Sequence, residues 1–396
     1  MAPNGWSKIK LGDLTKVITS GSRDWAKYYA DSGSKFIRMT NLNRHGIHLL
    51  LDDLKYVSVD STSSDGKRTA LQAGDILCSI TAELGKIGWI PENFGEAYIN
   101  QHTALIRVDA QKADSKFIAY QLSSNRINQV INSLNDAGAK AGLNLPTIKA
   151  IPIFYPPLSE QQKIAQILST WDQAISTTEK LLENSQQQKK ALMQQLLAGE
   201  KRLLDENGER FSGDWNSATL GEIGEIKSAG VDKKIVDGEI PIRLLNFTDV
   251  FKRNFIYSDE LNHWVTAPIS KVESCDVRKG DVFFTPSSET RDETGIPAVA
   301  AEDIPNCCYS YHIVRFRISE QWDLNFKAYA FTASNFRKQI DRLADGSGQR
   351  YVVSQDNFRS IIVHYPNFEE QVAIGKVLKS AEDEIHFLQR ELDCLK

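Results

Sequence analysis

The chain has little of what marks secreted, membrane-spanning or metal-stapled proteins. Its 396 residues include five cysteines, Cys78, Cys275, Cys307, Cys308 and Cys394, an odd number with no C-x-x-C pair. That excludes a disulfide framework and a structural zinc site, and predicts reduced, mostly buried thiols. No run of about eighteen uncharged apolar residues is present, so no membrane span is expected. The start, Met1 to Trp6, has neither a basic cluster nor an apolar run, so no signal peptide is expected and the protein is read as cytoplasmic. Glycine and proline together number 36, against 41% apolar and 25% charged residues, a balance that excludes disorder. The net charge of −4 gives no whole-chain hint of nucleic acid.

Catalytic signatures are missing as well. The nearest approach to a phosphate loop, Gly221-Glu-Ile-Gly224-Glu-Ile-Lys227-Ser228, lacks the spacing and the preceding strand. There is no G-x-S-x-G or H-E-x-x-H. Tyr155-Pro156-Pro157 lacks the polar residue with which amino-methyltransferases hold a flipped base. His45 and His48 have no third ligand nearby and read as a loop pair, so no metal and no catalytic residue is expected.

What the chain does have is an internal repeat. Trp6-x4-Leu11-Gly12-Asp13-Leu14 is answered by Trp215-x4-Leu220-Gly221-Glu222-Ile223, and Arg38 with Asn41 by Arg243 with Asn246. Gly74-Asp75 matches Gly280-Asp281, and His102 with Arg107 matches His312 with Arg317. The segment 151–168 matches 361–378 at a constant offset of 210. Each copy reads as a compact α+β domain, with strands over 75–80, 103–108, 281–285 and 312–318 and a helix over 115–134 or 325–343. A proline stop then opens a long helix, with Ser159 as N-cap of the first. Ile164, Leu168, Trp171, Ile175 and Leu182 recur every 3.5 residues on average, as do Ile374, Leu378, Ile385 and Leu392. That period predicts a coiled-coil seam. The first helix should run to about Ala198, spanning about 60 Å at about 1.5 Å per residue, and the second has only about 28 residues. The middle of the first helix, Glu183–Lys190, is polar at seam positions, which implies a weakened seam or one completed by another protein. The domain limits are 1–158, 159–199 for the first helix, 200–210 as linker, 211–367 and 368–396. Charge divides as +4 over 1–158, −1 over 159–210, −4 over 211–367 and −3 over 368–396.

This duplicated order, with Glu160-Gln161 and Glu370-Gln371 opening the helices and Gln194 to Gly199 followed by Phe211-x-x-x-Trp215, resembles the specificity subunits of type I restriction-modification systems. The resemblance covers essentially the whole chain. It implies two target recognition domains joined by long helices packed as an antiparallel coiled coil, reading a bipartite, asymmetric target in double-stranded DNA. It also implies two modification (methyltransferase) subunits that carry S-adenosylmethionine, and restriction/translocase subunits that use ATP and Mg; this chain would hold no cofactor. Two readers on one rod would set the DNA spacer, as dimer geometry sets half-site spacing elsewhere.

Base reading needs polar and basic side chains on loops. The first copy offers Ser22, Arg23, Arg38, Asn41, Arg44, Ser79, Thr81, Lys86 and Lys140, and the second Lys227, Arg243, Asn246, Lys252, Arg253, Ser287, Ser288, Arg291, Gln349 and Arg350. The paired loops are stronger candidates as groups than any single residue. His102 and His312 read as structural, and both Gly-Asp pairs as strand-opening turns. The competing reading is a non-catalytic protein adaptor, which the acidic second copy keeps open.

Overall fold

The computed structural model describes residues 5–134, 142–228, 231–347 and 350–396. Lys140 and Gln349 lie outside them. The chain divides into two compact units, Met1–Ala174 and Ile175–Lys396.

In the first unit, Ser7–Lys10 pairs antiparallel with Pro152–Tyr155, so the opening strand ends beside the segment that leads into the long helix. Between them lie two four-stranded sheets. One runs Thr15–Ser20, Thr103–Val108, Ile76–Ser79, Ile87–Trp89, and the other Tyr29–Ala30, Lys55–Val57, Ser34–Ile37, Ala97–Ile99. Ile76–Ser79 is buried on every residue, which is why it reads as a continuous apolar run rather than an alternation. Ile76, Ile106, Phe117, Ile118 and Ile131 anchor the core.

The second unit repeats the plan. Asn216–Thr219 pairs with Ile362–Tyr365. The larger sheet runs Gly224–Ser228, Val314–Ile318, Val282–Phe284, Pro297–Ala300, Phe255–Ile256, and the smaller one Trp264–Ala267, Ile240–Leu245, Cys307–Tyr309. Phe284 sits at the centre of an aromatic cluster with Phe316, Phe331, Phe336 and Phe358.

The helix expected over 115–134 is two helices, Ser115–Ser123 and Asn125–Ser133, and that over 325–343 is Leu324–Ala330 and Ser334–Leu343. Ser124 breaks the first: its backbone is extended and its hydroxyl accepts the amide of Ile127. The long helices span Leu158–Leu196 and Phe368–Leu395. Ser159 therefore lies inside the first turn rather than at the cap, and the helix stops two residues before Ala198. The second is capped by Asn367, whose side chain accepts the amide of Glu370.

Within the second unit the helices run antiparallel. Glu179 meets Lys396 at 2.9 Å, Ser185 meets Glu384 at 3.3 Å and Lys189 meets Glu382 at 3.3 Å, one sequence rising as the other falls. Leu182, Leu388 and Leu392 form the buried seam, with Ile175 and Ile385 against it. The polar middle is thus met by carboxylates of the second helix. Other seam expectations need correction. Ile374 and Leu378 belong to the globular core of the second unit, and Ile164 packs on that of the first. Leu168 and Trp171 are exposed.

Candidate nucleic-acid interface

The repeat places the same bonds in both units. Gly74 and Gly280 stand at φ 84° and 83°, the left-handed region where a side chain is strained. The aspartate that follows each is buried and fork-bonded by an arginine. Asp75 accepts Nε of Arg107 at 2.8 Å and Nη2 at 2.7 Å, and Asp281 accepts Nε and Nη2 of Arg317 at 2.6 Å each. Asp75 also accepts the amide of Gln72 and Asp281 that of Arg278. Each fork locks the turn before a central strand and so fixes the loop after it. The bonded aspartates hold both guanidiniums more firmly protonated than usual.

A second duplicated device clamps each domain to its helix. Buried Gln161 accepts the amide of Asp114 and donates to the carbonyl of Pro156; Gln371 accepts the amide of Asp323 and donates to that of Pro366. A third ties a domain helix to the rod. Tyr120 donates to Asp172 at 2.7 Å, where His48 also lies at 3.1 Å, and Tyr329 donates to Glu382, which also accepts Asn254. His48 is therefore a partner of a rod carboxylate, and no cluster of three or more metal-ligating side chains exists among the described residues.

The loops that follow the fork strands meet a later segment at equivalent points. Thr81 bridges Gly142 in the first unit, and Ser287 pairs with Val352 in the second. Around the second pairing stand the guanidinium of Arg350, donating to Ser287 Oγ at 2.9 Å, and that of Arg291, 4.9 Å from the Tyr351 ring centroid. Ser288 donates to Glu293. His312 lies against Tyr311, and burial first, then Arg350 and Lys233, hold its pKa below the ordinary value. Around the first, Thr81 Oγ1 is 2.7 Å from His102 Nδ1, Gln101 holds the other ring nitrogen, and Lys86 pairs with Glu83. These two loop pairs are the sites where the expected readers come together.

Several expected readers lie elsewhere. Ser22 is buried and accepts Arg68; Asn41 is buried and bridges the amide of Arg38 to the carbonyl of Leu50. Ser79 accepts the amide of Lys86 inside its own loop, and Asn246 donates to the carbonyl of Leu244. All four are buried and turned to bonds inside the domain, so none presents a free polar edge at the surface of its unit. Arg38 pairs with Asp53, Arg44 donates to the carbonyl of Leu84, Arg243 to that of Ser258, and Arg253 pairs with Glu260. Lys227 is half-buried, while Arg23 and Lys252 are exposed, Lys252 3.3 Å from Glu293. The aspartate–arginine forks were missed, although both partners stood in the matched motifs; the signal was that both recur together.

Two copies of one α+β domain, each presenting a paired loop and each clamped to a long helix, define a duplicated recognition-and-scaffold protein. The family model for the type I restriction modification DNA specificity domain matches residues 3–185 and again 212–396, and the chain belongs to that family. It is 23% identical over 418 residues to the type I restriction enzyme MjaVIII specificity subunit of Methanocaldococcus jannaschii, covering all of this chain and 90% of that one. A second sequence of that organism, named provisionally as the MjaX specificity subunit, is 26% identical over 413 residues, covering 100% of this chain and 91% of its own. Among solved structures, the type I S subunit from M. genitalium matches with a TM-score of 0.58 at 16% identity, over 98% of this chain and 92% of that one. The HsdS subunit from Thermoanaerobacter tengcongensis matches at 0.50 and 18%, over 99% and 92%. No helix among the described residues is long and apolar enough to cross a membrane.

Proposed function

We propose that this chain is the DNA-sequence-recognition and scaffold subunit of a type I restriction-modification assembly, reading a bipartite target with one half-site per globular unit. The carrying observation is that the loop pairs occupy equivalent places in the two units but carry different side chains. Around a histidine common to both, His102 and His312, Thr81 and Gln101 stand where the other unit has Ser287 and Tyr311. Equal placement with unequal chemistry reads two different half-sites, hence an asymmetric target.

Two modification subunits dock on the scaffold and methylate adenine from S-adenosylmethionine held in their own fold; restriction/translocase subunits with ATP and Mg join them. This chain makes and breaks no bond. In the test, the purified chain and its modification subunit are incubated with genomic DNA and the methylated adenines are mapped. One bipartite motif is the expected result; methylation by the chain alone would overturn the non-catalytic role.

The acidic balance of 211–367 favours one other reading, a protein adaptor. Salt separates the two. DNA affinity of the assembly should fall steeply with ionic strength as counterion release loses its drive, whereas an adaptor has no sequence-selective DNA affinity to lose.

A further inference from the structure

Four segments of the second unit meet at one place. Ser287 and Ser288 pair with Val352 and Tyr351, Val353 donates its amide to the carbonyl of Pro286, Gln355 donates to Ser228 Oγ, and Val231 bridges Ser310 beside Tyr311 and His312. Tyr351 packs on the core of the unit. Side chains alternate along a strand, so Arg350 and Val352 turn the other way, and both are exposed. After burial, Arg350 and Lys233 hold the pKa of His312 below the ordinary value, which sets the Arg350 guanidinium at the same junction.

Arginines elsewhere in this unit are paired with carboxylates. Arg202, Arg253, Arg278, Arg315, Arg317 and Arg359 each meet one. Arg350 meets none among the described residues. Its Nη2 donates to Ser287 Oγ at 2.9 Å, which fixes the plane of the guanidinium and leaves its other N–H donors free among those residues. A planar fork with a free edge matches the O6 and N7 of guanine, two acceptors side by side in the major groove. A phosphate would accept any cation, but this loop is a poor bed for a phosphate chain. Glu289, Asp292 and Glu293 stand on it, in a segment 211–367 whose balance is −4.

The first copy has no arginine at the matching point. At the offset of 210 it has Lys140, which lies outside the described residues, and an ammonium is a point charge that cannot fork.

We propose that Arg350 selects a guanine in the half-site read by the second unit, forking onto O6 and N7 from a rotamer that Ser287 holds. The proposal rests on the DNA-reading role proposed above, and adds the base, the residue that reads it and the residue that positions the reader.

The test uses the full chain assembled with its modification subunit. It reads the methylated motif, and the affinity for duplexes in which deazaguanine, with carbon in place of N7, replaces each guanine of the motif in turn. Watson–Crick pairing survives that replacement and the N7 acceptor does not. In the wild type one guanine of one half-site should be sensitive, its replacement weakening binding about fivefold, as loss of half a bidentate contact implies. Arg350→Lys keeps the charge and loses the fork. It should relax the motif at that G·C position, bind the unmodified duplex about tenfold more weakly and no longer distinguish deazaguanine there. The other half-site should stay as it was. Ser287→Ala leaves the guanidinium unbraced and should relax the same position in part, which a residue needed only for folding would not do. Arg350 is exposed, so an unchanged melting temperature certifies the fold of its variant.

An Arg350→Lys assembly that keeps the wild-type motif and its sensitivity to deazaguanine overturns the proposal. So does relaxation at an A·T position, and so does an equal weakening on every duplex with the motif retained, the mark of a phosphate contact. If the wild-type assembly methylates no bipartite motif, the proposed function fails by itself; a bipartite motif whose guanines all tolerate deazaguanine overturns this inference alone.

Discussion

At the scale of single residues, the most informative groups are the two aspartate–arginine forks. Both aspartates are almost fully buried while their arginines keep about a quarter of the side chain in solvent. Removing the carboxylate of Asp75 leaves a half-buried guanidinium without its carboxylate, whereas Arg317 keeps Asp276 at 3.2 Å when Asp281 is removed. Asp75→Asn should cost about 3 kcal/mol and Asp281→Asn less, each read as a lowered urea midpoint. The sequence displayed Gly-Asp and the later arginine as matched pairs but not their contact, because 32 and 36 residues of chain separate donor from acceptor.

Glu382 supplies a pH dependence. Burial pushes its pKa up, but the hydrogen bond from Tyr329, the Lys189 ammonium and the Asn254 amide outweigh burial, and the net shift is downward. A carboxylate depressed in the folded state adds stability above its unfolded value, about 4.3, and that stability is lost as pH falls through the folded value. The melting temperature should therefore drop on the acid side of about pH 4, and Glu382→Gln should flatten that limb in scans from about pH 6 to about pH 3. Cysteine chemistry is simpler. Burial pushes the thiols of Cys78, Cys307 and Cys308 up to about 12, and Cys275 is buried as well while Cys394 is exposed. Native alkylation at about pH 8, just below the ordinary thiol value, should label Cys394 alone, as peptide mapping would show.

At the scale of elements, the long helices show where periodicity informs and where it misleads. The 3.5-residue spacing found both helices, and their observed starts fall within two residues of the expected ones. It could not tell which apolar positions face another helix and which face a domain. Ile374 and Leu378 share their register with Leu392, but the domain that precedes the helix folds back over its first turns and claims them. The real seam is short. Leu388→Ala, at a site 7% exposed, should cost about 2–3 kcal/mol, seen as earlier unfolding of the second unit. The split of each domain helix into two was hidden because Ser124 and Ala333 fit a helical pattern, yet they stand between helices at ψ 144° and 143°, Ser124 as the N-cap of the helix that follows.

At the scale of the whole molecule, function follows from duplication. Two units of one fold carry different side chains on equivalent loops, and under the proposed function they would specify two half-sites from one chain. Inserting about one heptad into Leu158–Leu196 should alter the spacer permitted between half-sites and leave their sequences intact, as methylation mapping of the insertion variant would reveal. An unchanged spacer would separate the long helix from any role as a ruler.

The sequence by itself determined the repeat, the α+β class, the long helices and the family, because each rests on local pattern or on ordered similarity that survives without coordinates. The charge bookkeeping was equally local. What only the tertiary structure decided was which polar residues remain available. Ser22, Asn41, Ser79 and Asn246 look like base readers in a string of letters, yet each is buried and bonded inside its domain. The same holds for the long helix of the first unit. Leu168 and Trp171 follow the seam period faithfully yet stay exposed, since burial depends on contacts between segments far apart in the chain.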